Sequence, residues 1–155
     1  GDDPRNVLLN LMVKPYEGYA LSAEQMAVWD TAIRVRSDVN GILELARGDK
    51  RIGKSLEAHV TLSALDAPAA EALKAVRGMN LAELFIVSNV SVADEKSKEN
   101  AVTGSGTNFP GLVIEVTEAP GTKCPRCWMH SEQADAEGLC PRCAEVMKSL
   151  VDVEL

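Results

Sequence analysis

Catalytic side chains are scarce in this sequence. Its 155 residues include only two histidines, and Trp, Tyr and Phe together make up 4% of the chain. All four cysteines stand in two closely spaced pairs, which leaves no separate thiol for a Cys/His nucleophile. No Ser/His/Asp set or acid–base pair of carboxylates stands out either. The sequence therefore predicts no catalytic residues.

Long apolar runs are also missing. No segment approaches the roughly 20 apolar residues that a membrane-spanning helix needs, and Gly1 to Pro4 lack the charged-then-apolar layout of a signal peptide. The first residue is not Met, so we expect a processed chain or an excised fragment. These features predict a cytoplasmic location and no membrane partner. In that compartment, paired cysteines bind metal more often than they form disulfides.

Positive charge is outnumbered along the chain as a whole. The sequence has 16 Lys and Arg against 23 Asp and Glu, a net charge of −7, which argues against a protein that coats nucleic acid non-specifically. Residues 47–54 are an exception, because Arg47, Lys50, Arg51 and Lys54 stand there against Asp49 alone. A local site for an anionic partner is therefore compatible with the acidic total.

The first half of the chain carries a helical pattern. Ser22 and Gln25 have the spacing of an N-terminal capping box, and Gly48 suits a helix C-terminus. The pattern predicts one helix over Ala23–Arg47. Its apolar residues recur every three or four positions, at Val28, Ala32, Val35, Val39, Ile42 and Ala46, and that stripe is widened by Trp29, Ile33 and Leu43.

The middle of the chain mixes short strands and a short helix. Alternating apolar and polar residues, β-branched runs and a Pro at a first helical turn mark the elements, and a polar Gly/Ser-rich stretch marks a mobile loop. A final short helix follows the cysteines. The predictions are strands over Leu56–Ala64, Leu84–Val92 and Leu112–Val116, helices over Pro68–Val76 and Glu145–Val151, and a loop over Ala93–Asn108.

The cysteines form two Cys-x-x-Cys knuckles. Two intervening residues allow both sulfurs of a pair to face one ion, and four thiolates complete a tetrahedral shell with no open position for water. We therefore expect one structural Zn²⁺, bound by Cys124, Cys127, Cys140 and Cys143. Disulfides, a rubredoxin-like iron site and redox thiols are the alternative interpretations.

Together these patterns predict an α+β fold in three parts. The first part, residues 1–53, contains the long N-terminal helix, a small three-stranded αβ unit occupies 54–120, and a zinc-ribbon-like finger with four cysteine ligands occupies 121–155. The order of the parts follows the change of hydrophobic period along the chain, from helical to alternating to cysteine-rich.

Two aromatic or titratable residues lie beside the knuckles. Trp128 either covers the metal site as a small core or stacks on an unpaired base, with Arg126 next to it on a phosphate or a base edge. Spacing alone favours the covering role. His130 is close in sequence, but four cysteines already complete the shell, so we do not expect it to bind the metal.

A phosphate-binding pattern also occurs, in a misleading context. Gly48–Ser55 match G-x-x-x-x-G-K-S, but that loop works by following a strand and opening a helix. Here a predicted helix precedes it and a predicted strand follows it, and no later strand ends in a magnesium-binding Asp. We therefore expect a helix end and a turn with a solvated basic face rather than an ATP site.

These residues together resemble bacterial-type isoleucyl-tRNA synthetases. The two Cys-Pro-Arg-Cys knuckles, the first followed by Trp, are similar to the C-terminal zinc module of that family. Formamidopyrimidine-DNA glycosylases share such a finger, so the upstream segment favours the synthetases. Its helix and its IG-x-SLEA passage into a strand are matched by Trp29, Arg34, Val39–Ala46 and Ile52–Leu62.

The resemblance implies a fragment of a large class I ligase. The catalytic and editing domains are absent from the sequence, so aminoacylation by this chain alone is not expected, and ATP is expected only in the absent catalytic domain. The implied partners are the anticodon region of tRNA(Ile) and the upstream domains of the parent enzyme. Residues 1–53 would then be a helical connector from the anticodon-binding region.

The resemblance also implies roles for individual residues. Arg126 and Trp128 match the family's anticodon-contacting arginine and tryptophan, and the four cysteines match its zinc ligands. The family often has a histidine directly after that tryptophan, but here Met129 intervenes before His130, so no role carries over to His130. A stand-alone zinc-ribbon module that binds protein or DNA is the alternative. A DNA-repair finger suits the chain poorly, because no N-terminal proline nucleophile is present.

Overall fold

A mixed four-stranded sheet packs on one long helix, and a small cysteine-rich finger follows it. The computed structural model of the chain describes residues 5–12, 14–92 and 100–151. Single 3₁₀ turns occupy Val7–Leu9, Glu17–Tyr19 and Ser55–Glu57. In chain order the other elements are α1 (Ala23–Gly48), β1 (Ala58–Ala64), α2 (Ala67–Val76), α3 (Leu81–Phe85), β2 (Asn89–Val92), β3 (Val102–Ser105), β4 (Leu112–Glu118), β5 (Thr122–Lys123), β6 (His130–Ser131) and α4 (Pro141–Val151).

The main sheet has the strand order β2-β1-β4-β3. Strands β1 and β2 are parallel, so the chain must cross over between them, and α2 and α3 form that crossover. Strand β4 runs antiparallel to both β1 and β3. Strands β5 and β6 form a separate two-stranded ribbon inside the finger. The mixture of helices and a largely antiparallel sheet confirms the predicted α+β class.

Helix α1 forms as its sequence predicts. The Ser22 hydroxyl accepts a hydrogen bond from the Gln25 amide, and the Gln25 side chain accepts one from the Ser22 amide, which completes the capping box. The predicted helix is confirmed to within one residue. Its stripe is buried from Ala32 onward, but Trp29 and Ile33 are exposed. The expected widening is therefore correct only at Leu43, because the sheet covers only the C-terminal half of the helix.

The core lies between α1 and one face of the sheet. Leu43 of the helix, Leu62 of β1 and Ile114 of β4 are fully buried and belong to one cluster. Burying a side chain of this kind stabilises the fold by about 1.5–3 kcal/mol. Helix α2 adds Ala69 and Ala72 to the same cluster, so a single apolar core joins the long helix, the crossover and the sheet.

One predicted strand is wrong over its first half. The segment Leu84–Val92 contains the end of helix α3 and only then the strand Asn89–Val92. Asn80 caps that helix through the Glu83 amide, and Ile86 takes a left-handed conformation (φ 59°) that ends it. The β-branched composition favoured a strand, but local capping and packing of Phe85 into the core decide otherwise.

The predicted three-stranded unit has a fourth strand, which lies in the segment predicted as a mobile loop. Residues Val102–Ser105 pair with β4 as the edge strand β3. Position 104 favours glycine, because a Cβ there would come within 2.3 Å of the Ile42 side chain. Because an edge strand with small polar residues has the composition of a loop, the sequence pattern could not separate the two. Residues 93–99 of the predicted loop lie outside the described residues.

A buried carboxylate anchors the turn after β3 to helix α1. Asp38 is 5% exposed. Its Oδ1 accepts hydrogen bonds from the amides of Thr107 and Asn108 at 3.0 and 2.9 Å, and its Oδ2 accepts one from the Phe109 amide at 3.0 Å. The Asn108 side chain adds a further bond at 2.8 Å. Asp38 therefore fixes where β4 begins against the helix.

Replacing Asp38 with Ala should lower the free energy of unfolding by about 1–3 kcal/mol, because the part-buried hydrogen bonds from the amides of Thr107, Asn108 and Phe109 would lose their acceptor. Urea denaturation followed by circular dichroism measures this. Asp30→Ala, on the exposed side of the same helix, is the matched control and should change stability by less than about 0.5 kcal/mol. Equal stabilities of the two variants would contradict the anchoring role.

Candidate metal centre

The structure brings the four cysteines to one point. Their sulfur atoms all lie within 4.8 Å of one another, and the Sγ atoms of Cys127 and Cys140 are 3.6 Å apart. Cys124, Cys140 and Cys143 are buried and Cys127 is partly exposed. The two knuckles, which are separated by twelve residues in sequence, thus form one centre, as their spacing predicts.

The spacing of the sulfurs fits a tetrahedral metal ion. Zinc–thiolate bonds of about 2.3 Å at tetrahedral angles place neighbouring sulfurs about 3.8 Å apart, close to the 3.6 Å between Cys127 and Cys140. A disulfide would require about 2.05 Å between two sulfurs, and all four cysteines are free thiols. Four thiols in this arrangement can hold one metal ion as a closed structural site.

Each knuckle is closed by backbone hydrogen bonds. The Trp128 amide donates to the Cys124 carbonyl at 2.9 Å, and the Ala144 amide donates to the Cys140 carbonyl at 2.9 Å, so the two cysteine turns have the same closure. The Cys124 amide also donates to the Met129 carbonyl. Gly121 permits the approach of β5 to β6, because it has φ 90° and a Cβ there would lie 2.2 Å from the Ser131 carbonyl carbon.

The protein environment separates the acidities of the thiols. Burial acts to raise the pKa of Cys124, but hydrogen bonds from the backbone amides of Cys127, Cys140 and Arg126 outweigh it and lower that pKa to about 6. Burial and hydrogen bonds to the Cys127 and Cys140 sulfurs raise the pKa of Cys143 to about 12. In this folded arrangement, the environment therefore favours a thiolate at Cys124 and a protonated thiol at Cys143.

Arg142 is a further residue of the site. Its side chain hydrogen-bonds to Cys127 and lies near the sulfurs of Cys143 and Cys140, which together raise the pKa of the Arg142 guanidinium. One divalent ion and four thiolates sum to a charge of −2, so a cation beside them reduces the net charge of the centre. Arg142 has the same position in the second knuckle as Arg126 has in the first. This repetition is the sequence signal that could have identified Arg142 as a residue of the site.

Trp128 lies on the surface beside the metal centre. The residue is 57% exposed and has a left-handed backbone conformation, φ 66°. The covering role that spacing favoured for Trp128 is therefore wrong: the buried cluster of the finger consists of the cysteines with Leu139 packed against it. A bulky residue at positive φ is disfavoured, so the hydrogen bond that closes the first knuckle holds Trp128 in this conformation at a local cost.

Arg126 and His130 take different positions around the knuckle. The exposed Arg126 donates a hydrogen bond to the Met147 sulfur of α4 at 2.6 Å. His130 stands outside the group of four cysteines, the one candidate metal cluster among the described residues. Both ring nitrogens of His130 are buried and have no hydrogen-bond partner among the residues that the structure describes. Its backbone amide donates to Ser88 Oγ at 2.7 Å.

Ser88 and Glu57 join the finger to the αβ unit. Ser88 Oγ accepts from the His130 amide and donates to the Leu56 carbonyl at 2.5 Å. Glu57 Oε1 contacts Lys123 Nζ of the finger at 3.4 Å, and the Glu57 carbonyl accepts from the amide of Ala119, just before the finger begins, at 2.7 Å. The sequence did not single out Ser88, and it gave Glu57 only as part of the IG-x-SLEA segment, because both contacts with the finger act across a long separation along the chain.

Comparison with known proteins gives the family. The chain is 40% identical over 133 residues to an isoleucine–tRNA ligase of Staphylococcus epidermidis, 43% over 138 residues to that of Pectobacterium atrosepticum, and 44% over 128 residues to that of Staphylococcus aureus. These matches cover 79–83% of the chain. This chain belongs to the isoleucine–tRNA ligase family and corresponds to a small C-terminal part of those ligases. No family model matches it.

The chain covers only a small share of these ligases. It spans 13–14% of the length of each of the three relatives. None of the described helices is long and apolar enough to cross a membrane.

The loop that resembles a phosphate-binding motif has a structural explanation in this ligase segment. It follows α1 and leads into a 3₁₀ turn and strand β1, the reverse of the order that phosphate binding needs. Its amides are already used: Glu57 Oε2 accepts from the amides of Gly53 and Lys54 at 2.9 and 3.1 Å. These bonds lower the pKa of Glu57. A carboxylate of the chain thus occupies the amides that would otherwise bind an anion.

Metal uptake by this ligase segment should release protons in a pH-dependent number. At pH 7.5, Cys124 is already ionised wherever the metal-free finger keeps this fold, since its pKa there is about 6, so binding of Zn²⁺ to the folded finger should release at most three protons. Below pH 6, Cys124 is protonated in the metal-free protein and one more proton must leave, so metal affinity should fall more steeply as the pH decreases. Titration calorimetry in two buffers of different ionisation enthalpy counts the protons. Release of four protons at pH 7.5 would contradict a metal-free finger that is folded with this pKa at Cys124.

Proposed function

We propose that this chain binds one structural Zn²⁺ through Cys124, Cys127, Cys140 and Cys143 and contacts the anticodon region of tRNA(Ile) through Arg126 and Trp128. The observation that carries the proposal is the exposed Trp128 ring, which directly follows the first knuckle of a four-cysteine centre able to hold a metal ion. Membership of the isoleucine–tRNA ligase family supplies the substrate class.

The zinc assignment is supported by the donor set. Four thiolates with tetrahedral spacing favour zinc or iron over harder ions that prefer oxygen ligands. The ion would supply cross-links and no chemistry, because a closed shell has no position for water or substrate. Cys124, Cys127, Cys140 and Cys143 would hold it, and Arg142 would compensate part of the charge of the centre.

The tRNA contact is supported by what an anticodon offers. Bases in an anticodon loop are unpaired, and such bases are recognised by stacking on aromatic side chains and by hydrogen bonds to their edges. Trp128 offers a ring to stack on, and Arg126 offers a guanidinium two residues earlier on the same turn. A chain with net charge −7 cannot rely on non-specific attraction to phosphates, so a few placed groups must carry the binding.

Within the whole ligase we assign a division of labour. Residues 1–53 form a helical connector from the anticodon-binding region, 54–120 a small αβ subdomain, and 121–155 the zinc finger. Aminoacylation, and with it ATP, belongs to a separate catalytic domain of the parent enzyme, which acts in the cytoplasm. This chain then holds one end of the tRNA so that the other end reaches the distant active site.

The first part also offers a surface for the upstream domains of the parent. Several large apolar side chains between residues 8 and 33 are exposed. Single exposed apolar residues are common on protein surfaces, but contiguous groups of them mark interaction sites. The most exposed of them are Leu8, Leu11, Met12, Tyr16, Tyr19 and Ile33.

The zinc assignment predicts a defined metal content. Native mass spectrometry of the purified chain should show one zinc per chain, and Cys143→Ser should lose it together with the structure of the finger, since finger modules this small have little core without metal. The cluster of α1 with the sheet contains no cysteine, so most of the helical circular dichroism should remain. Iron in place of zinc, or full metal retention by Cys143→Ser, would contradict the assignment.

The anticodon contact predicts the behaviour of Trp128 variants. Trp128→Ala should weaken binding of the zinc-loaded chain to tRNA(Ile) by about 1–3 kcal/mol, the contribution of one stacked base. The metal content should stay unchanged, because the ring is outside the buried cluster. Fluorescence anisotropy at low salt measures affinity against a tRNA that differs only in the anticodon.

Two controls sharpen that measurement. Trp128→Phe keeps an aromatic face and should bind more tightly than Trp128→Ala, and Trp29→Phe changes the other tryptophan, on α1, without effect. Arg126→Ala should reduce the preference for tRNA(Ile) over the altered anticodon. If all of these variants bind both tRNAs equally well, the finger is a protein-interaction module, and tighter binding to duplex DNA would make it a DNA module.

A further inference from the structure

A cleft with an excess of cations lies between the turn after α1 and the finger. It has a volume of about 450 Å³ and is lined by Lys50, Arg51 and Lys123 against the carboxylates Glu57 and Glu118. This balance is the reverse of that of the whole chain, in which 23 acidic residues outnumber 16 basic ones. The local excess marks the cleft as a place where an anion can bind despite the negative total.

Two of these cations are available to a ligand. Lys123 is paired with Glu57 at 3.4 Å, but neither Lys50 nor Arg51 has a carboxylate partner within 4.0 Å in the described part of the chain. The backbone beneath them is fixed, because the Lys50 and Arg51 amides donate to the Arg47 and Ala46 carbonyls. Two unpaired cations on a fixed turn are suited to phosphate contacts.

Lys54 connects this turn to the tryptophan of the finger. Its Nζ lies 5.6 Å from the centroid of the Trp128 ring, within the range of a cation–π contact. One ring face is therefore occupied by Lys54, while Trp128 keeps 57% of its surface exposed. The Lys54 amide is bound by Glu57, so the lysine projects from an anchored backbone and can hold the ring in one orientation.

We propose that residues 50–54 and the finger form one continuous RNA-binding surface. Trp128 stacks on a base with its accessible face, Lys54 orients the ring from the other face, and Lys50 and Arg51 bind the phosphates of the adjoining nucleotides in the cleft. The inference rests on the proposed function, since the cleft receives the RNA backbone only if Trp128 meets a base. Residues 50–54 would therefore bind phosphate through their side chains. Their backbone amides do not take part, because those of Lys50, Arg51, Gly53 and Lys54 already donate to groups of the chain itself.

The double variant Lys50→Asn/Arg51→Gln tests the phosphate contacts. Lys50 has a left-handed conformation, φ 57°, which Asn adopts readily, so the fold should be retained. Binding of the zinc-loaded chain to tRNA(Ile) is measured by anisotropy over a range of KCl concentrations. Each lost phosphate contact lowers the slope of log affinity against log salt by about 0.7–0.9. We therefore expect the slope to fall by about 1.4–1.8, equally for tRNA(Ile) and the tRNA with an altered anticodon.

The matched control is Lys74→Gln/Arg77→Gln, which removes the same charge from helix α2 and its end. These two residues line a different cleft, with Ala64 and Leu81, and their loss should leave the slope unchanged. An unchanged slope in the Lys50/Arg51 variant, or the same change in both double variants, would overturn the inference in favour of a general charge effect.

Lys54 has its own test through tryptophan fluorescence. In a Trp29→Phe background, Trp128 is the only tryptophan, so its quenching by tRNA reports stacking directly. Lys54→Met should reduce that quenching and the affinity together, and Lys54→Arg should restore both. If Lys54→Met leaves the quenching of Trp128 by tRNA unchanged, Lys54 does not orient the Trp128 ring.

The Trp128→Ala variant separates the two proposals. If it binds tRNA(Ile) more weakly while the Lys50/Arg51 variant keeps the parental salt slope, the anticodon function stands and only the cleft inference fails. If Trp128→Ala binds tRNA(Ile) as tightly as the unsubstituted chain does, the proposed anticodon function fails, whatever the results for the cleft variants.

Discussion

The finger has almost no apolar interior, and every feature of its surface depends on four sulfur atoms being held together. Its buried cluster consists of Cys124, Cys140 and Cys143, with Cys127 and Leu139 beside them, and the only sheet in its described residues is a ribbon of two residues per strand. So small a core cannot offset the entropy of ordering about thirty residues. The four clustered sulfurs can hold a metal ion, and its cross-links would replace the missing core. The two knuckle turns, each closed by a backbone hydrogen bond, place their cysteines around that centre.

Those turns explain why an aromatic residue can be kept in solvent. The amide of Trp128 closes the first knuckle, the backbone at this residue is left-handed, and the side chain stays largely exposed beside Lys54. A hydrophobic core would have drawn the ring inward, but the finger has none to offer. The second knuckle has the same closure, but its arginine, Arg142, hydrogen-bonds to a cysteine of the centre, whereas its counterpart Arg126 contacts Met147 of α4.

The position of the finger relative to the rest of the molecule depends on a few polar contacts rather than on a large apolar interface. Ser88 and Glu57 each bond to both parts. Glu57 has a second effect, because by accepting from the amides of Gly53 and Lys54 it closes the loop into a rigid turn. This gives the SLEA segment of the family resemblance a physical reason: its carboxylate holds the turn and directs the basic side chains toward the finger.

The sequence by itself determined those features that depend on local spacing. The capping box and stripe of α1, the strands β1 and β4, and the convergence of the four cysteines all follow from residues close together in the chain, where periodicity and ligand spacing act directly. Only the tertiary structure decided the rest. Strand β3 exists because Val102–Ser105 find β4 as a partner, helix α3 because Phe85 is buried, and the exposed position of Trp128 because the finger has no core. The bonds of Ser88 and Glu57 to the finger, like the contact of Lys54 with Trp128, join residues 42 to 74 positions apart, and no local pattern encodes a contact whose two halves are brought together only by the fold.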